Sequence, residues 1–398
     1  MNNSSLTLLL EINNQSYIFF VCENGEYNNF KIVYKLELPL KGIYNNSITD
    51  LKEVYDIIKK NVYTIEQKFN HTFNKITLIL ENFNPTFINL SGYKKLNGSQ
   101  ILRENITYIL NSLKSFIEEN ESKKKILHIF NSNFFIDNKK IDNLPIGLFG
   151  DFYSHELSFT LINLNDYKNL SNILDKINLK IKKILIKSFI KGANISNDYK
   201  KIDTFFHIKM DNNNSKIFYF ENNSLKFEQN FKFGTDIIIT DISKVTSLKR
   251  DTVEAILEKI DFQNDISEDE LLKKELFVDE VYKKIKKKLI YDIIVARIHE
   301  ITELMLFKNV NFIHYNKISR DVFFEINPKS KLIFLVEIYK KVFSMYRNHN
   351  LIILEYLTSG SMINTANKLI HFGWKNEAIP ISQSNKSLIA KFFDRFFG

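Results

Sequence analysis

Glycine and proline are scarce here, at 11 and 5 residues in a chain of 398. Tight turns must therefore be made largely without the two residues that normally shape them. The shortage bears hardest on any loop that cradles phosphate, because backbone N–H groups close on an anion most easily where no Cβ intrudes. Cysteine occurs once, as Cys22, which excludes an internal disulfide and fits a reducing compartment. None of the eight histidines belongs to a His-x-x-x-His pair, and neither a Gly-x-Ser-x-Gly elbow nor a Walker A loop occurs, so no residues are assigned to a metal or to nucleophilic catalysis. No run of about eighteen apolar residues exists to cross a bilayer as a helix. The apolar stretch Leu6–Leu10 is cut by Glu11 and has no basic residue ahead of it, which reads as a strand and not as an export signal.

What is present suits a folded protein. Hydrophobic residues make up 44% of the sequence and aromatic ones 14%, enough for a large core spread over two or three lobes. The net charge is +9, but the lysine-rich spots Lys123–Lys125, Lys139–Lys140 and Lys283–Lys288 are scattered and not interleaved with aromatics. Such a distribution points to anionic membrane surfaces or acidic partners and away from nucleic acid.

Apolar runs of strand length at Leu6–Ile12 and Tyr17–Cys22, joined by a polar tip, predict an opening β-hairpin. Leu51, Val54, Ile57, Ile58, Val62 and Ile65 follow helical spacing behind a Thr or Asp cap. Strands are predicted at Lys75–Leu80, Ile126–Phe130 and Leu157–Ile162, with helices around Ile101–Phe116 and Leu170–Leu179. Phe205–Met210 and Lys216–Phe220 make a second hairpin much like the first, which suggests a duplicated α/β plan. Asp241–Phe307 reads as mostly helical, with its long helix over Ile285–Leu306, and a helix at Leu332–Tyr346 leads to a strand at Leu351–Leu357 and a helix at Met362–Phe372.

Near the end of the sequence, Leu388, Ile389, Phe392, Phe393, Phe396 and Phe397 fill one half of a helix surface, while Lys391, Asp394 and Arg395 occupy the other. Four phenylalanines on so short a helix need cover, either from the protein's own core or from a lipid surface. Pro380 and its polar neighbours read as a tether over 375–386, which favours the lipid surface for 387–398. Basic residues would add to the attraction of an anionic leaflet.

Four stretches resemble the FtsA family, actin-like proteins of bacterial cell division. Lys125-Ile-Leu-His128-Ile through Ile136-Asp137 to Asn143-Leu-Pro145-Ile-Gly147-Leu-Phe-Gly150 is similar to the family's "LHxI … YxID … NPxGxxG", with Leu90-Ser91-Gly92 as its short Ser-Gly turn. Asp292-Ile-Ile-Val-Ala-Arg297-Ile-His-Glu300-Ile resembles "IIxxRxxEI". Gly234, Thr240-Asp241-Ile242 and Val253-Glu254-Ala-Ile256 look like "GGxxxTxDIA … AExIK", and the amphipathic terminus is the fourth. The resemblance implies an α/β, actin-like two-lobed fold of the actin and Hsp70 superfamily. Its subdomains would be 1A over 1–74 and 164–203, an inserted 1C over 75–163, 2A over 204–232 and 300–374, and 2B over 233–299.

The family also implies ATP with Mg²⁺, held by two glycine-rich hairpin tips, and here the match breaks down. The first tip reads Glu11-Ile12-Asn13-Asn14-Gln15-Ser16, keeping the acid but neither the glycine nor the lysine of "(D/E)IGTxK". The second reads Lys209-Met210-Asp211-Asn212-Asn213-Asn214-Ser215-Lys216, with no glycine and with lysine where "DIGGGTTD" has its two acids. Asn tolerates left-handed turns, so both hairpins are expected to close, with less room for phosphate. Glu254 and Leu357-Thr358-Ser359-Gly360 stand where the family meets the ribose and adenine. Three readings stay open: plain polar turns, nucleotide binding without hydrolysis, and hydrolysis. The partners implied are the tail of the tubulin-like FtsZ, received by about Gly234–Arg297, an anionic membrane, and further copies of the chain in a filament. The place implied is the cytoplasmic face of the inner membrane at the division site. The alternatives are an active ATPase and a platform of a pilus or secretion machine.

Overall fold

The computed structural model describes residues 6–25, 30–81, 83–260, 267–277, 279–313, 315, 320–327, 334–346, 349–354 and 359–379. The expected amphipathic helix over 387–398 lies outside them. The described residues divide into two compact units: one runs to Asp203 and adds Phe220–Phe227 and 359–379, and the other holds Thr204–Tyr219 and those of 228–354.

In the first unit β1 (Leu6–Ile12), β2 (Ser16–Asn24) and β3 (Phe30–Pro39) form an antiparallel meander. The short pair β4 (Ile43–Tyr44) and β5 (Ser47–Ile48) leads into helix α1 (Leu51–Phe69), and β6 (Lys75–Leu80) returns parallel to β1. Helix α1 begins where Asp50 accepts a hydrogen bond from the Glu53 N–H (2.9 Å), and it turns Val54, Ile58, Val62 and Ile65 inward. Each such side chain contributes about 1.5–3 kcal/mol of burial. A second sheet follows from β7 (Thr86–Lys95), helix α2 (Arg103–Asn120), β8 (Lys124–Ile136), β9 (Lys139–Ile141) and β10 (Phe152–Asn163). Helix α3 (Leu164–Asp175), β11 (Lys180–Ile186) and helix α4 (Lys187–Asp198) then complete the first sheet in the order β11-β6-β1-β2-β3.

The second unit repeats this plan. Strands β12 (Phe205–Met210), β13 (Ser215–Glu221) and β14 (Ser224–Phe231), the latter two apart from their Phe220–Phe227 portion, precede helices α5 (Asp236–Thr246), α6 (Arg250–Lys259) and α7 (Lys287–Thr302). Then come β15 (Asp321–Ile326), helix α8 (Leu335–Ser344) and β16 (Asn350–Ile353). The order β14-β13-β12-β15-β16, with β15 parallel to both β12 and β16, mirrors the first sheet. Helix α9 (Ser359–Phe372) and β17 (Glu377–Ile379) belong to the first unit.

Several expected boundaries move. Residues 75–80, expected within the inserted 1C, pair within the first sheet between β1 and β11. Leu90-Ser91-Gly92 lies inside β7 and is no turn; Gly92 is needed there because a Cβ would stand 2.5 Å from Ile109 Cγ2 of α2. Residues 359–379 join the first unit, where Ser361 and Thr365 hydroxyls donate to Asn194 Oδ1 (3.0 and 2.7 Å). The helix expected over 285–306 is α-helical from Lys287 to Thr302, and then widens, with Lys308 N–H donating to Glu303 O (2.7 Å). The expected tether does not start at 375, because Glu377–Ile379 is a strand on β8 and Glu377 is fully buried.

Glu377 explains why that strand is held. One carboxylate oxygen accepts from Lys183 Nζ (2.8 Å) of β11, and the other from His128 Nδ1 (2.9 Å) of β8. Burial alone would raise the Glu377 pKa, but Lys183 and His128 more than offset it and hold the group at about 2. Turns elsewhere show what replaces glycine: the pairs Asn45–Asn46, Asp137–Asn138 and Asn222–Asn223 all have positive φ.

On the opposite face of the second sheet His155 is fully buried beside Phe134 and Tyr153, and neither ring nitrogen has a protein partner. Burial holds its pKa down at about 3 from the usual 6.5. The folded state therefore binds fewer protons than the unfolded one between those values, and stability falls as pH drops below 6.5. Acid titration of the melting temperature should show a slope, worth up to about 1.4 kcal/mol per pH unit, that is shallower in His155→Phe. Separately, Lys183→Met should cost about 3–5 kcal/mol in denaturant unfolding, since it strands a buried carboxylate.

Candidate functional site

The first polar tip joins β1 to β2 and is closed by one side chain. Asn13 Oδ1 accepts from the N–H of Gln15 (2.8 Å), the N–H of Ser16 (2.8 Å) and Ser16 Oγ (3.2 Å). Asn13 N–H in turn donates to Ser16 O (3.1 Å). No residue of 13–16 has positive φ, so the tip closes through this Asx-type turn and not, as expected, through a left-handed asparagine. Three backbone donors that a phosphate could use, those of Asn13, Gln15 and Ser16, are thereby satisfied from within. Asn14 is exposed and Ser16 buried, with Ser16 Oγ also reaching Glu37 Oε1 (3.1 Å).

Glu11 ends one residue short of the tip, Glu81 follows β6, and Lys187 opens α4 directly after β11. Because β1, β6 and β11 are parallel neighbours, all three side chains arrive at the carboxyl ends of the strands, where α/β sheets form their sites. Lys187 Nζ donates to Glu11 Oε1 (2.7 Å) and to Glu81 Oε2 (2.6 Å), with all three side chains largely buried. Burial works against the lysine's charge, but Glu81 and Glu11 outweigh it and raise its pKa well above the ordinary range.

The second tip follows the same plan with other side chains. Asp211 N–H donates to Asn214 O (2.9 Å), the counterpart of the Asn13–Ser16 bond, and Lys209 Nζ pairs with Asp211 (2.9 Å). Asn327 N–H donates to Met210 O (3.0 Å) as Glu81 N–H donates to Ile12 O (3.1 Å), so the two tips are equivalent in backbone as well as in place. Asn212, Asn213 and Asn214 are exposed. The N–H groups of Thr235 and Asp236 at the start of α5 donate to Asp211 O (3.1 Å) and Asn212 O (2.9 Å). Gly234 permits this, since a Cβ there would lie 2.0 Å from Asp211 O.

Of the other expected residues, Glu254 on α6 accepts from Arg250 Nε (2.8 Å), whose Nη2 also reaches Asp236 (2.9 Å). Gly360 is exposed in the first turn of α9, while Thr358 and the side chain of Ser359 lie outside the described residues. The two stretches Thr240-Asp241-Ile242 and Arg297–Glu300 meet: Arg297 donates to Asp241 and to Glu300 (2.6 Å), tying α7 to α5. The lysine run is largely engaged with acids, through Lys286–Asp269 (2.9 Å), Lys287–Glu270 (2.9 Å) and Lys288–Asp292 (3.3 Å). Sequence reasoning found Glu11 but missed Glu81 and Lys187; the available signal was the apolar run Ile184–Ile186 ending in a lysine.

Mg²⁺ with ATP fits these residues poorly. An ammonium already stands between the two carboxylates that a hard cation would need, and the second tip offers Lys209 against its own Asp211. At the first tip the N–H groups of Asn13, Gln15 and Ser16 are spent on the tip itself, and at the second that of Asp211 is.

No family model matches the sequence. Two curated relatives do, each described as a cell division protein FtsA. That of Buchnera aphidicola from Acyrthosiphon pisum is 21% identical over 63% of this chain and 60% of its own length. That from Schizaphis graminum is 21% identical over 76% of this chain and 72% of its own. The structure is similar to a PilM-PilN type IV pilus biogenesis complex, with a TM-score of 0.51 and 9% identity over 92% of this chain and 95% of that one. The fold is actin-like: an α/β, two-lobed architecture.

Two substitutions test the tip geometry. Gly234→Ala should destabilise the protein by about 1–3 kcal/mol in chemical denaturation, because its methyl group overlaps the Asp211 carbonyl. Asn13→Ala should cost about 1 kcal/mol and speed amide exchange at Gln15 and Ser16.

Proposed function

We propose that this chain is a cell division adaptor. It links FtsZ polymers to the cytoplasmic face of the bacterial inner membrane through the amphipathic residues 387–398, self-associates into filaments, and hydrolyses ATP weakly or not at all. The observation that carries the reading is the state of the two hairpin tips, where charged side chains pair within the protein at both and the Gln15 and Ser16 N–H groups are occupied at the first, as suits a scaffold better than an ATPase. The division role is supported by the two FtsA relatives; about Gly234–Arg297 is the part we propose for the FtsZ tail. A peripheral attachment accords with the lack, among the described residues, of any helix long and apolar enough to cross a membrane.

One amphipathic helix binds weakly, at about 1.5–3 kcal/mol per buried phenylalanine before ordering costs, so firm attachment needs many copies on one polymer. A pilus platform is the second reading; the PilM-PilN likeness favours it, but at 9% identity that likeness speaks to the fold alone.

Sedimentation with vesicles of phosphatidylglycerol and phosphatidylethanolamine tests the membrane arm. The full chain should pellet with vesicles and a chain lacking 385–398 should not; equal pelleting of both rules out this attachment. An FtsZ tail peptide should bind either form alike.

A further inference from the structure

Lys187 has a role that goes beyond filling space. We infer that its ammonium is a built-in counter-ion, standing in for a divalent cation between Glu11 and Glu81 and fixing the first hairpin in one state whatever nucleotide or metal is present. The inference deepens the adaptor reading above and rests on it.

The geometry is specific. Two carboxylates reach the same end of neighbouring parallel strands, and one nitrogen lies 2.7 Å from the first and 2.6 Å from the second. Left alone, two largely buried carboxylates so close together would repel, and one would take up a proton or recruit a cation. Lysine is disfavoured there by the helix itself, because it opens α4 and the amino end of a helix favours negative charge. Only the paired acids account for a cation there. Unlike a metal, this cation is covalently tethered and cannot dissociate, so the hairpin is not gated by metal concentration. The Asn13 side chain acts in the same sense on the backbone, since it occupies the N–H groups of Gln15 and Ser16 without an external anion. Charge and backbone at this tip are both satisfied from within one unit.

Manganese serves as the probe, read by electron paramagnetic resonance and by thermal shift at neutral pH. The intact protein should show no Mn²⁺-dependent rise in melting temperature, and ATP should have the same effect, or none, with and without EDTA. Lys187→Ala should melt lower than wild type and regain part of the loss in millimolar Mn²⁺ but not in matched KCl. That gain should vanish in the double variant Lys187→Ala, Glu81→Gln. A wild-type Mn²⁺ response abolished by Glu81→Gln overturns the inference, as does a folded Lys187→Ala protein that ignores Mn²⁺. If Lys187→Ala does not fold, the comparison of wild type with Glu81→Gln decides alone: a Mn²⁺ response lost on that substitution overturns the inference, and no response in either protein supports it. Vesicle binding is scored separately, so a wild type that pellets with lipid yet takes up Mn²⁺ sinks the counter-ion and leaves the adaptor standing.

Discussion

The carboxylate of Glu377 is the point on which the first unit depends. Its bonds join three segments that are far apart in sequence: β17, the second sheet through His128, and the first sheet through Lys183. A fully buried carboxylate is tolerable only because both oxygens are engaged, one of them by a formal opposite charge. Replacing the trio by apolar residues could leave stability unchanged, so its value lies in specificity, in that only one register of β17 on β8 places the acid between both partners. A neighbouring set of bonds works alongside it. Trp374 Nε1 donates to Asn223 O (2.7 Å) and Ser224 Oγ to Asn131 O (2.9 Å), fastening the β13–β14 turn to the same sheet.

The same principle, charge satisfied from within, recurs at both hairpin tips. The backbone plan of the two is equivalent down to the i→i+3 bond and the following strand's N–H, yet the side chains differ: acid with a distant lysine in one, lysine with a near aspartate in the other. Both hairpins thus serve as structural corners whose side chains answer one another. Gly234 survives for a reason unrelated to ligand, namely the close passage of α5 over the second tip.

Local patterns were legible where the local rule also decides the outcome. The spacing of Val54, Ile58, Val62 and Ile65, with its aspartate cap, gave α1 almost to the residue, and both hairpins and β6 followed from apolar runs between polar tips. Leu90-Ser91-Gly92, expected as a short turn from the family resemblance alone, lies in strand β7, where the glycine makes room for Ile109. Lys183 and Lys187 could not be read at all. Their partners lie 194, 176 and 106 residues away, and a lysine beside an apolar run looks the same whether it faces water or a buried acid. Glu377 was hidden in the same way, in a stretch whose composition resembled a linker. Within the candidate site the acid at 11 was therefore legible, while the groups that define its electrostatics were not.

The use of asparagine in place of glycine has a cost in chemical lifetime. Asn97 and Gly98 form an exposed turn with both φ values positive. An asparagine followed by glycine is the sequence in which the next backbone nitrogen most freely attacks the side-chain amide, closing a succinimide that reopens to aspartate or isoaspartate. Each such event removes one unit from a net charge of +9, and the isoaspartate lengthens the backbone at a corner. The molecule therefore carries a slow clock in its turns, one that runs with age and temperature and not with any ligand.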